Sequence, residues 1–277
     1  MTTEQKSILI TGCSTGIGLA AARRLKAKGW RVLATARKPA DLERLEREDG
    51  LEALALELRD DNSIARCAEE VLRRTDGKLY ALYNNAAYGV IGAMEDLSAS
   101  VLRELLEVNV VAAHEMTRLI VPAMRRQGRG RIVMCSSVLG FISGPYRGAY
   151  AASKFALEAL SDSLRVELKP AGIHVSVLEP GPIESHFLAT TVTAFTSQVE
   201  TQRSPHREAY ERRLQQMQSG KSSALKLGPD AVVDCLVHAL EAQKPRARYR
   251  IGLMTKGASV LKRFLPDSIL DRLVARM

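Results

Sequence analysis

The chain has 277 residues, of which 46% are hydrophobic, and its formal net charge is +9 at pH 7. This length and apolar content suffice for the core of one large domain, which excludes a disulfide-stapled miniprotein and a disordered chain. Most of the charge lies at the end, because residues 244–277 contain nine Lys or Arg and two Asp whereas residues 1–243 carry a net of only +2. The tail has only Tyr249 and Phe264 as stacking aromatic residues, so we expect no nucleic-acid partner.

The four cysteines, Cys13, Cys67, Cys135 and Cys235, are scattered along the chain without a C-x-x-C motif or a His at ligand spacing. We therefore expect neither a disulfide framework nor a metal site, and we place the protein in a reducing, cytoplasmic setting. No apolar run reaches the length of about 18 residues that a spanning helix needs.

Short β-branched runs alternate with longer segments of helical periodicity along the whole chain. Strands are predicted, in chain order, at 7–11, 31–36, 54–58, 79–84, 131–136, 174–178 and 248–252. Helices are predicted at 18–28, 41–48, 63–75, 100–126, 151–170 and 229–243. This alternation predicts an α/β fold, with a single Rossmann-type domain over residues 1–277. Its doubly wound parallel sheet has about seven strands, with helices on both faces.

Two segments depart from this alternation. Residues 182–226 are polar and follow a predicted strand, so we interpret them as a substrate lid with one or two short helices, the first candidate being 205–218. Residues 253–277 form a basic amphipathic extension in which apolar positions alternate with cations. Such an extension can dock on its own domain or on a second subunit, or it can lie on an anionic membrane surface.

A glycine-rich turn, TGCSTGIG, stands where the first strand must become the first helix. Glycine tolerates positive φ and lets the backbone approach a pyrophosphate closely, while the helix that follows offers free N–H groups and a positive dipole end. An ordinary tight turn also uses glycines, so the strand–turn–helix context carries the assignment. The predicted nucleotide contacts in this turn are Gly12, Ser14, Thr15, Gly16, Ile17 and Gly18.

The residues at the end of the second predicted strand bear on which dinucleotide binds. An acidic residue at this position reads the ribose 2′-hydroxyl of NAD, and here the chain has Arg37 and Lys38 instead. Arg37 can hold a 2′-phosphate by charge-assisted hydrogen bonds. The sequence therefore favours NADP(H), with NAD(H) as the alternative if these cations are only solvated surface charge.

Tyr150 and Lys154 are four residues apart in a predicted helix and so share one face. A nearby ammonium group lowers a tyrosine pKa, which makes the phenol a usable general acid or base. Ser137 follows the fifth predicted strand, at the carboxyl edge where such sheets bind ligands, and its hydroxyl can donate to a carbonyl oxygen. Ser136 is the second candidate for this role.

These motifs together resemble the short-chain dehydrogenase/reductase family, from residue 7 to about residue 185. The shared features are the G-x-x-x-G-x-G turn, the Y-x-x-x-K pair and a serine thirteen residues before the tyrosine. The phrase YAASKFALE and the segment EPGPI are similar to the branch that contains 17β-hydroxysteroid and retinol dehydrogenases and bacterial NADP-dependent aldehyde reductases.

The resemblance implies further roles for particular residues. It implies that Lys154 also binds the nicotinamide ribose, and that Asn109 distorts its helix and holds a water molecule leading to Lys154. Asparagine is a poor helix former, which fits the distortion, although an ordinary buried amide is the simpler alternative.

The remaining implied contacts are to the cofactor, and three motifs depart from the family pattern. The segment NNAA replaces N-N-A-G, so Ala87 stands where the family has glycine; Ser185 replaces the Thr of P-G-x-x-x-T; and Glu57 replaces an Asp that contacts adenine. The implied cofactor contacts are Glu57, Leu58, Asn85, Ala86, Pro180, Gly181 and Ile183.

The sequence thus predicts an NADP(H)-dependent oxidoreductase that reduces a hydrophobic aldehyde or ketone, or oxidises the alcohol. The alternatives are a catalytically weak NADP(H)-binding sensor or scaffold and, third, a membrane-docked enzyme of lipid carbonyls. We expect a homo-oligomer in the cytoplasm, with possible peripheral contact to a membrane through the tail. The predicted pocket walls are Tyr88, Val90, Leu139, Phe141, Ile142, Tyr146, His186, Phe187 and Phe195, and His186 is a candidate bond to a substrate oxygen.

Overall fold

The computed structural model describes residues 5–218 and 226–275. Its strands are β1 (Ser7–Ile10), β2 (Arg31–Ala36), β3 (Glu52–Ala55), β4 (Ala81–Asn84), β5 (Gly130–Cys135), β6 (Ile173–Pro180) and β7 (Arg248–Ile251). Its α-helices are α1 (Gly16–Ala27), α2 (Pro39–Arg47), α3 (Asp61–Arg74), α4 (Ala99–Leu106), α5 (Ala112–Gln127), α6 (Gly148–Leu168), α7 (Phe187–Gln198), α8 (Arg207–Gln218), α9 (Asp230–Glu241), α10 (Leu253–Phe264) and α11 (Asp267–Val274).

The seven strands form one parallel sheet in the order β3-β2-β1-β4-β5-β6-β7. The chain winds outward from β1 in one direction and then resumes at β4 in the other. This confirms the predicted doubly wound α/β fold. The reversal puts a crevice at the carboxyl ends of β1 and β4, where sheets of this kind bind nucleotides.

Alternation along the strands divides the core into two layers. In β1, Ile8 and Ile10 pack with α1, α2 and α9 on one face, while Leu9 packs with α3, α5 and α6 on the other. Successive strand side chains point to opposite faces, so a sheet covered on both sides needs apolar residues at consecutive positions. This requirement explains the unbroken apolar runs on which the strand predictions rested.

The structure differs from the predicted elements in three places. Strand β3 is Glu52–Ala55 rather than 54–58, so Glu57 lies in the loop beyond the strand. The predicted helix 100–126 is split by a π-helical turn, Glu107–Val111, between α4 and α5. Helix α7 lies within the predicted lid, but no helix was predicted at its residues. Its Thr-rich sequence has weak helical propensity.

A partly buried charge cluster ties β6 and β7 to α6. Arg248 contacts Glu158 at 3.0 Å, Asp162 at 2.7 Å and Glu179 at 3.2 Å, and Arg250 contacts Glu179 at 3.2 Å. Three carboxyl groups thus face two guanidinium groups. Burial and the neighbouring Glu158 raise the pKa of Glu179 to about 7, against the lowering effect of the two arginines.

The predicted C-terminal extension folds as α10 and α11 and docks on its own domain. Thr255 is fully buried, Leu270 is buried, and Ala258 packs beside Leu139 and Ile142. No helix among the described residues is both long and apolar enough to cross a bilayer.

Candidate active site

The glycine-rich turn has the backbone that the sequence predicted for it. Gly12 and Gly16 have φ of +75° and +60°, a backbone conformation that residues with a Cβ rarely adopt. A Cβ on Gly18 would lie 2.2 Å from the carbonyl oxygen of Gly12, so only glycine permits this approach of α1 to the turn. Because these positions lack side chains, the turn is tight and a ligand can approach its backbone closely.

The turn is cross-linked to the loop after β4. Thr11 Oγ1 accepts hydrogen bonds from the amides of Asn85 and Ala86, both at 3.0 Å, and Asn85 Nδ2 donates to the Thr11 carbonyl at 3.0 Å. Thr35 Oγ1 accepts from the amide of Gly12 at 3.2 Å. Sequence reasoning missed Thr11 and Thr35, although each stands at or just before the carboxyl end of a predicted strand.

Ala87, which stands where the family has glycine, does not need the conformational freedom of glycine. Among the described non-glycine residues, only Asp76 and Tyr146 have positive φ, so Ala87 adopts a conformation open to any residue. Replacing the glycine of N-N-A-G therefore costs no backbone strain here.

Arg37 stands at the carboxyl end of β2 with more than half of its side chain exposed. Its guanidinium group lies 3.7 Å from Glu57, a long ion pair between two partly exposed groups. Glu57 also accepts from the amide of Arg59 at 3.0 Å, so its carboxylate points back along its own loop. The predicted contact of Glu57 with an adenine thus competes with Arg37 and Arg59, whereas Arg37 remains mostly exposed.

Tyr150 and Lys154 both lie in α6, as predicted, and their side chains are neighbours. Lys154 is almost fully buried, and its Nζ lies 5.6 Å from the centroid of the Tyr150 ring. Lys154 Nζ donates to the carbonyl of Cys135, at the end of β5, at 2.7 Å. Burial lowers the pKa of Lys154.

The predicted lowering of the Tyr150 pKa by Lys154 is wrong for this structure. Burial raises the pKa of Tyr150 well above its ordinary value, and hydrogen bonding with Ser137 offsets only part of the rise. The main cause is burial of the phenol, and Lys154 does not offset it because its ammonium group donates to the Cys135 carbonyl. Tyr150 is accordingly a neutral phenol, the form that can donate a proton.

The two candidate serines after β5 face different surroundings. Ser137 is half-buried, and its hydroxyl lies close enough to affect the Tyr150 phenol. Ser136 is buried, and its hydroxyl is turned toward Glu158. Consecutive side chains of an extended backbone point to opposite sides, so only one of Ser136 and Ser137 can face the crevice. The geometry favours Ser137.

Asn109 lies inside the π-helical turn, so the helix is distorted where the resemblance implied a distortion. The side chain is buried, exchanges two hydrogen bonds with the backbone of Tyr88, and donates to Ser153 Oγ at 3.1 Å. Ser153 in turn donates to the Tyr150 carbonyl at 2.7 Å. Ser153 is a positioning residue that the sequence analysis did not single out, although it lies between Tyr150 and Lys154.

The segment after β6 closes the opposite side of the crevice. Gly181 donates to the Ile251 carbonyl at 3.1 Å, and a Cβ there would lie 2.9 Å from Thr255 Oγ1. Ile183 pairs with Leu227 in an isolated parallel bridge. Ser185 approaches the nucleotide turn, because a Cβ on Gly16 would lie 3.2 Å from Ser185 Cβ. Pro180 ends β6, so the whole segment follows the strand edge as predicted.

Helix α7 lies over Tyr150. The Phe187 and Tyr150 ring centroids are 5.5 Å apart, and a Cβ on Gly89 would lie 3.1 Å from the Phe187 ring. His186 is exposed at the start of α7 and lines a cavity of about 740 Å³ that also borders Gly16. The cavity thus adjoins the nucleotide turn, and His186 is not placed beside Tyr150.

Several predicted pocket walls are core residues instead. Tyr88, Val90 and Phe195 are buried in one apolar cluster, and Leu139 and Ile142 in another. Their apolar character predicts burial but does not distinguish core packing from pocket lining. Phe187, together with the half-buried Phe141 and Tyr146, lies near Tyr150.

Hydrogen bonds, together called the polar latch, join the predicted lid to the rest of the domain. Tyr210 donates to Asp96 and accepts from the amide of Ala93 at 2.8 Å. Tyr146 contacts His206 through its hydroxyl at 3.1 Å, and His206 contacts Glu95 at 2.7 Å. Helix α8 is thereby tied to the loop before α4 and to the segment that leads into α6.

Comparison with known proteins defines the class to which this site belongs. The model of the short chain dehydrogenase family matches residues 6–194, more than half of the chain. The chain therefore belongs to the short-chain dehydrogenase/reductase family.

Similar proteins include enzymes from bacteria and humans. The chain is 44% identical over 270 residues to the uncharacterized oxidoreductase YbbO of Escherichia coli K12, covering 98% of this chain and 94% of that protein. It is 35% identical over 255 residues to human 17-beta-hydroxysteroid dehydrogenase type 1, covering 87% and 76%. These relatives agree with the branch that the sequence motifs resemble.

Solved structures share the fold over nearly the full length. A short-chain dehydrogenase from Streptomyces avermitilis superposes with a TM-score of 0.80 at 30% identity, covering 98% of this chain and 96% of that chain. A metagenomic short-chain oxidoreductase in complex with NADP gives 0.68 at 27% identity, covering 88% and 95%. A Burkholderia phymatum enzyme in complex with NAD gives 0.78 at 25% identity, covering 97% and 95%.

Proposed function

We propose that this oxidoreductase uses NADP(H) to reduce a hydrophobic aldehyde or ketone to the alcohol, or to run the reverse reaction, with Tyr150 as the proton donor. One observation carries the proposal: Tyr150, Lys154 and Ser137 gather at the carboxyl edge of β5, beside the nucleotide turn after β1. A dinucleotide and a carbonyl group can therefore meet at one point of the crevice.

The residues around the crevice fit a dinucleotide. Gly12, Gly16 and Gly18 bring the backbone and the start of α1 within reach of phosphates. The predicted contacts of Ser14, Thr15, Ile17, Leu58 and Asn85 belong to the same proposal. Arg37 supports NADP(H), because its exposed guanidinium group can pair with a 2′-phosphate that an acidic residue would repel.

The preference for NADP(H) leaves NAD(H) as a weaker cofactor. Similar structures contain NADP or NAD, so the family fold accepts both. The positive charge of Arg37 is the feature of this chain that favours NADP(H) over NAD(H). We expect the chain to use NADPH more efficiently than NADH.

The chemistry divides between the cofactor and this chain's own residues. Bound NADPH supplies the hydride that reaches the carbonyl carbon. Ser137 donates a hydrogen bond to the carbonyl oxygen as negative charge develops, and Tyr150 transfers its phenolic proton to that oxygen. Because burial keeps Tyr150 protonated, the proton is in place before the carbonyl is reduced.

The supporting residues hold this arrangement in position. Lys154 is buried next to the phenol, and its hydrogen bond to the Cys135 carbonyl fixes α6 against the end of β5. Asn109 and Ser153 link the π-helical turn to the Tyr150 backbone and fix the start of α6. The relay through Asn109 to Lys154 is part of the proposal.

The substrate is proposed to be hydrophobic because aromatic side chains border the tyrosine. Phe187 covers Tyr150, and Tyr146 and Phe141 pack nearby. Such walls favour an apolar aldehyde or ketone over a charged sugar or acid. We also propose a homo-oligomer that works in the cytoplasm.

The test is turnover with full-length protein, NADPH or NADH, and a panel of long-chain aldehydes, steroid ketones, retinal and acyl ketones. We expect NADPH oxidation with at least one hydrophobic carbonyl compound, and a kcat/KM for NADPH more than about tenfold above that for NADH. Tight NADPH binding without turnover of any compound, unchanged in Tyr150→Phe, would instead establish the sensor.

A further inference from the structure

Half of the exposed large apolar side chains lie at the C-terminal end. Of the twelve exposed large hydrophobic residues among those the structure describes, six lie in α10 and α11. We call these six the C-terminal apolar face. They are Leu253, Val260, Leu261, Phe264, Ile269 and Leu273.

Helix α10 turns an apolar stripe away from its own domain. With about 3.6 residues per turn, Leu253, Val260 and Phe264 fall within a narrow stripe. Thr255 and Ala258 lie on the opposite side, where Thr255 is fully buried and Ala258 packs on the domain. Leu253 is 78% exposed and Phe264 is 74% exposed. The helix therefore docks through its small residues and presents its large ones to the outside.

Helix α11 repeats this arrangement. Ile269 and Leu273 are one turn apart and 41% and 43% exposed, while Leu270 is buried against the domain. The two helices join through Pro266, so their outward residues follow one another within a short stretch of chain. An exposed apolar surface of this kind marks a binding site rather than ordinary surface variation.

The charges around the face have one predominant sign. Residues 253–275 contain four cations and two Asp, a net of +2. Lys256 and Arg263 lie along one side of the stripe of α10, and Arg272 lies beside Ile269 and Leu273 on α11. Each of these three cations is exposed.

We propose that the C-terminal apolar face lies on an anionic lipid bilayer, with Leu253, Val260 and Phe264 inserted at the level of the headgroups. Cations beside an apolar stripe complement acidic headgroups, which surround such a helix on its polar sides. A second copy of this chain is the other conceivable occupant. It would bring the same cations to the interface, where like charges repel and charged residues are disfavoured at the core.

The face also lies beside the site. Ala258 packs in the same cluster as Leu139, Ile142 and Tyr150, and a Cβ on Gly144 would lie 3.7 Å from the Val274 carbonyl oxygen. Docking here brings the segment between β5 and α6 toward the lipid, so a hydrophobic substrate can reach it from the bilayer. This last step rests on the proposed function, whereas the docking itself does not.

The test is vesicle flotation with the full-length protein. It compares phosphatidylcholine vesicles with vesicles that also contain phosphatidylglycerol. The test variant is Leu253→Glu combined with Phe264→Glu. The matched control is Val166→Glu, which adds a carboxylate at a residue of α6 that is 64% exposed, outside the C-terminal apolar face. Unchanged melting temperature and NADPH binding show that each variant is folded.

The proposal expects wild type and Val166→Glu to float with the acidic vesicles and to lose this binding in high salt. It expects the double variant to bind them more than about tenfold less, because two large apolar side chains no longer insert. Equal flotation of wild type and double variant overturns the proposal. So does a wild-type dimer that the double variant splits, without flotation of either. Turnover of a water-soluble aldehyde by the double variant tests the reaction separately.

Discussion

Gly18→Ala adds a single methyl group at the tightest point of the nucleotide turn. The added Cβ would lie 2.2 Å from the Gly12 carbonyl oxygen and 2.7 Å from Asn85 Nδ2, whereas ordinary contacts begin near 3.4 Å. The Gly12 carbonyl must therefore move by about 1 Å, which disrupts its hydrogen bond from Asn85.

The expected cost follows from these distances. Overpacking costs about 1–3 kcal/mol and the weakened hydrogen bond about 1 kcal/mol more, while alanine in a helix returns up to about 1 kcal/mol. We expect a net loss of about 1–3 kcal/mol in the free energy of unfolding. Because the displaced backbone is the proposed phosphate site, NADPH binding should weaken more than about tenfold.

The assays are thermal melting and NADPH titration of the full chain, with Gly257→Ala as the matched control. Gly257 lies in α10 and a Cβ there meets no atom within 4 Å, so alanine should stabilise the helix slightly and leave NADPH binding unchanged. The reasoning is refuted if Gly18→Ala melts as high as the control and binds NADPH within a factor of about two of wild type.

Three further predictions concern cofactor choice, pH and the lid. Arg37→Glu should lower kcat/KM for NADPH by about ten- to a hundredfold and leave that for NADH within a few fold, and an equal loss for both would contradict the 2′-phosphate assignment. The pKa of Glu179, raised to about 7 by burial and by Glu158, leaves the folded protein holding a proton that the unfolded chain loses near 4.5. The free energy of unfolding should therefore fall as pH rises from about 4.5 to about 7, and urea titrations of Glu179→Gln should show a smaller fall; the same fall in both proteins would argue against Glu179 as its source. Tyr210→Phe removes the hydroxyl that binds Asp96, so limited proteolysis should cleave the lid faster and the stability should drop by about 1–3 kcal/mol, whereas unchanged cleavage would show that the latch does not hold the lid.

Most of the fold follows from sequence because its signals are local. Apolar β-branched runs between helical segments predict a parallel sheet with right-handed crossovers and helices on both faces. The largest misplacement is that of β3, predicted at 54–58, because Leu54, Leu56 and Leu58 extend the apolar pattern past the last paired residue, Ala55. Strand ends depend on partners that the sequence does not display.

The candidate site was predictable where it depends on residue type and spacing. The glycines of the turn and the Tyr150 and Lys154 pair belong to this class, whereas the distorted helix at Asn109 was implied only by the family resemblance. The direction in which each side chain points was not predictable from residue type and spacing. Ser136 and Ser137 are chemically identical neighbours, and only the three-dimensional path of the strand turns one toward Glu158 and the other toward Tyr150.

Burial explains the remaining differences between prediction and structure. The sequence shows an ammonium four residues from a phenol, but it does not show the Cys135 carbonyl that binds Lys154 or the packing that raises the pKa of Tyr150. The docked side of α10 is equally hidden, since Thr255 and Ala258 are small and give no strong apolar signal. The large apolar residues that form the pattern of the tail lie instead on its exposed side.

The most direct test of the proposed chemistry compares Tyr150→Phe with wild type in two measurements on the same preparations. One is NADPH affinity by fluorescence titration, and the other is kcat for the best carbonyl substrate of the panel. Removing the phenolic hydroxyl should lower kcat by about 10²- to 10⁴-fold and leave NADPH affinity within a few fold, because Tyr150 supplies the proton. A variant that keeps NADPH affinity and turns over within a few fold of wild type would contradict Tyr150 as the proton donor.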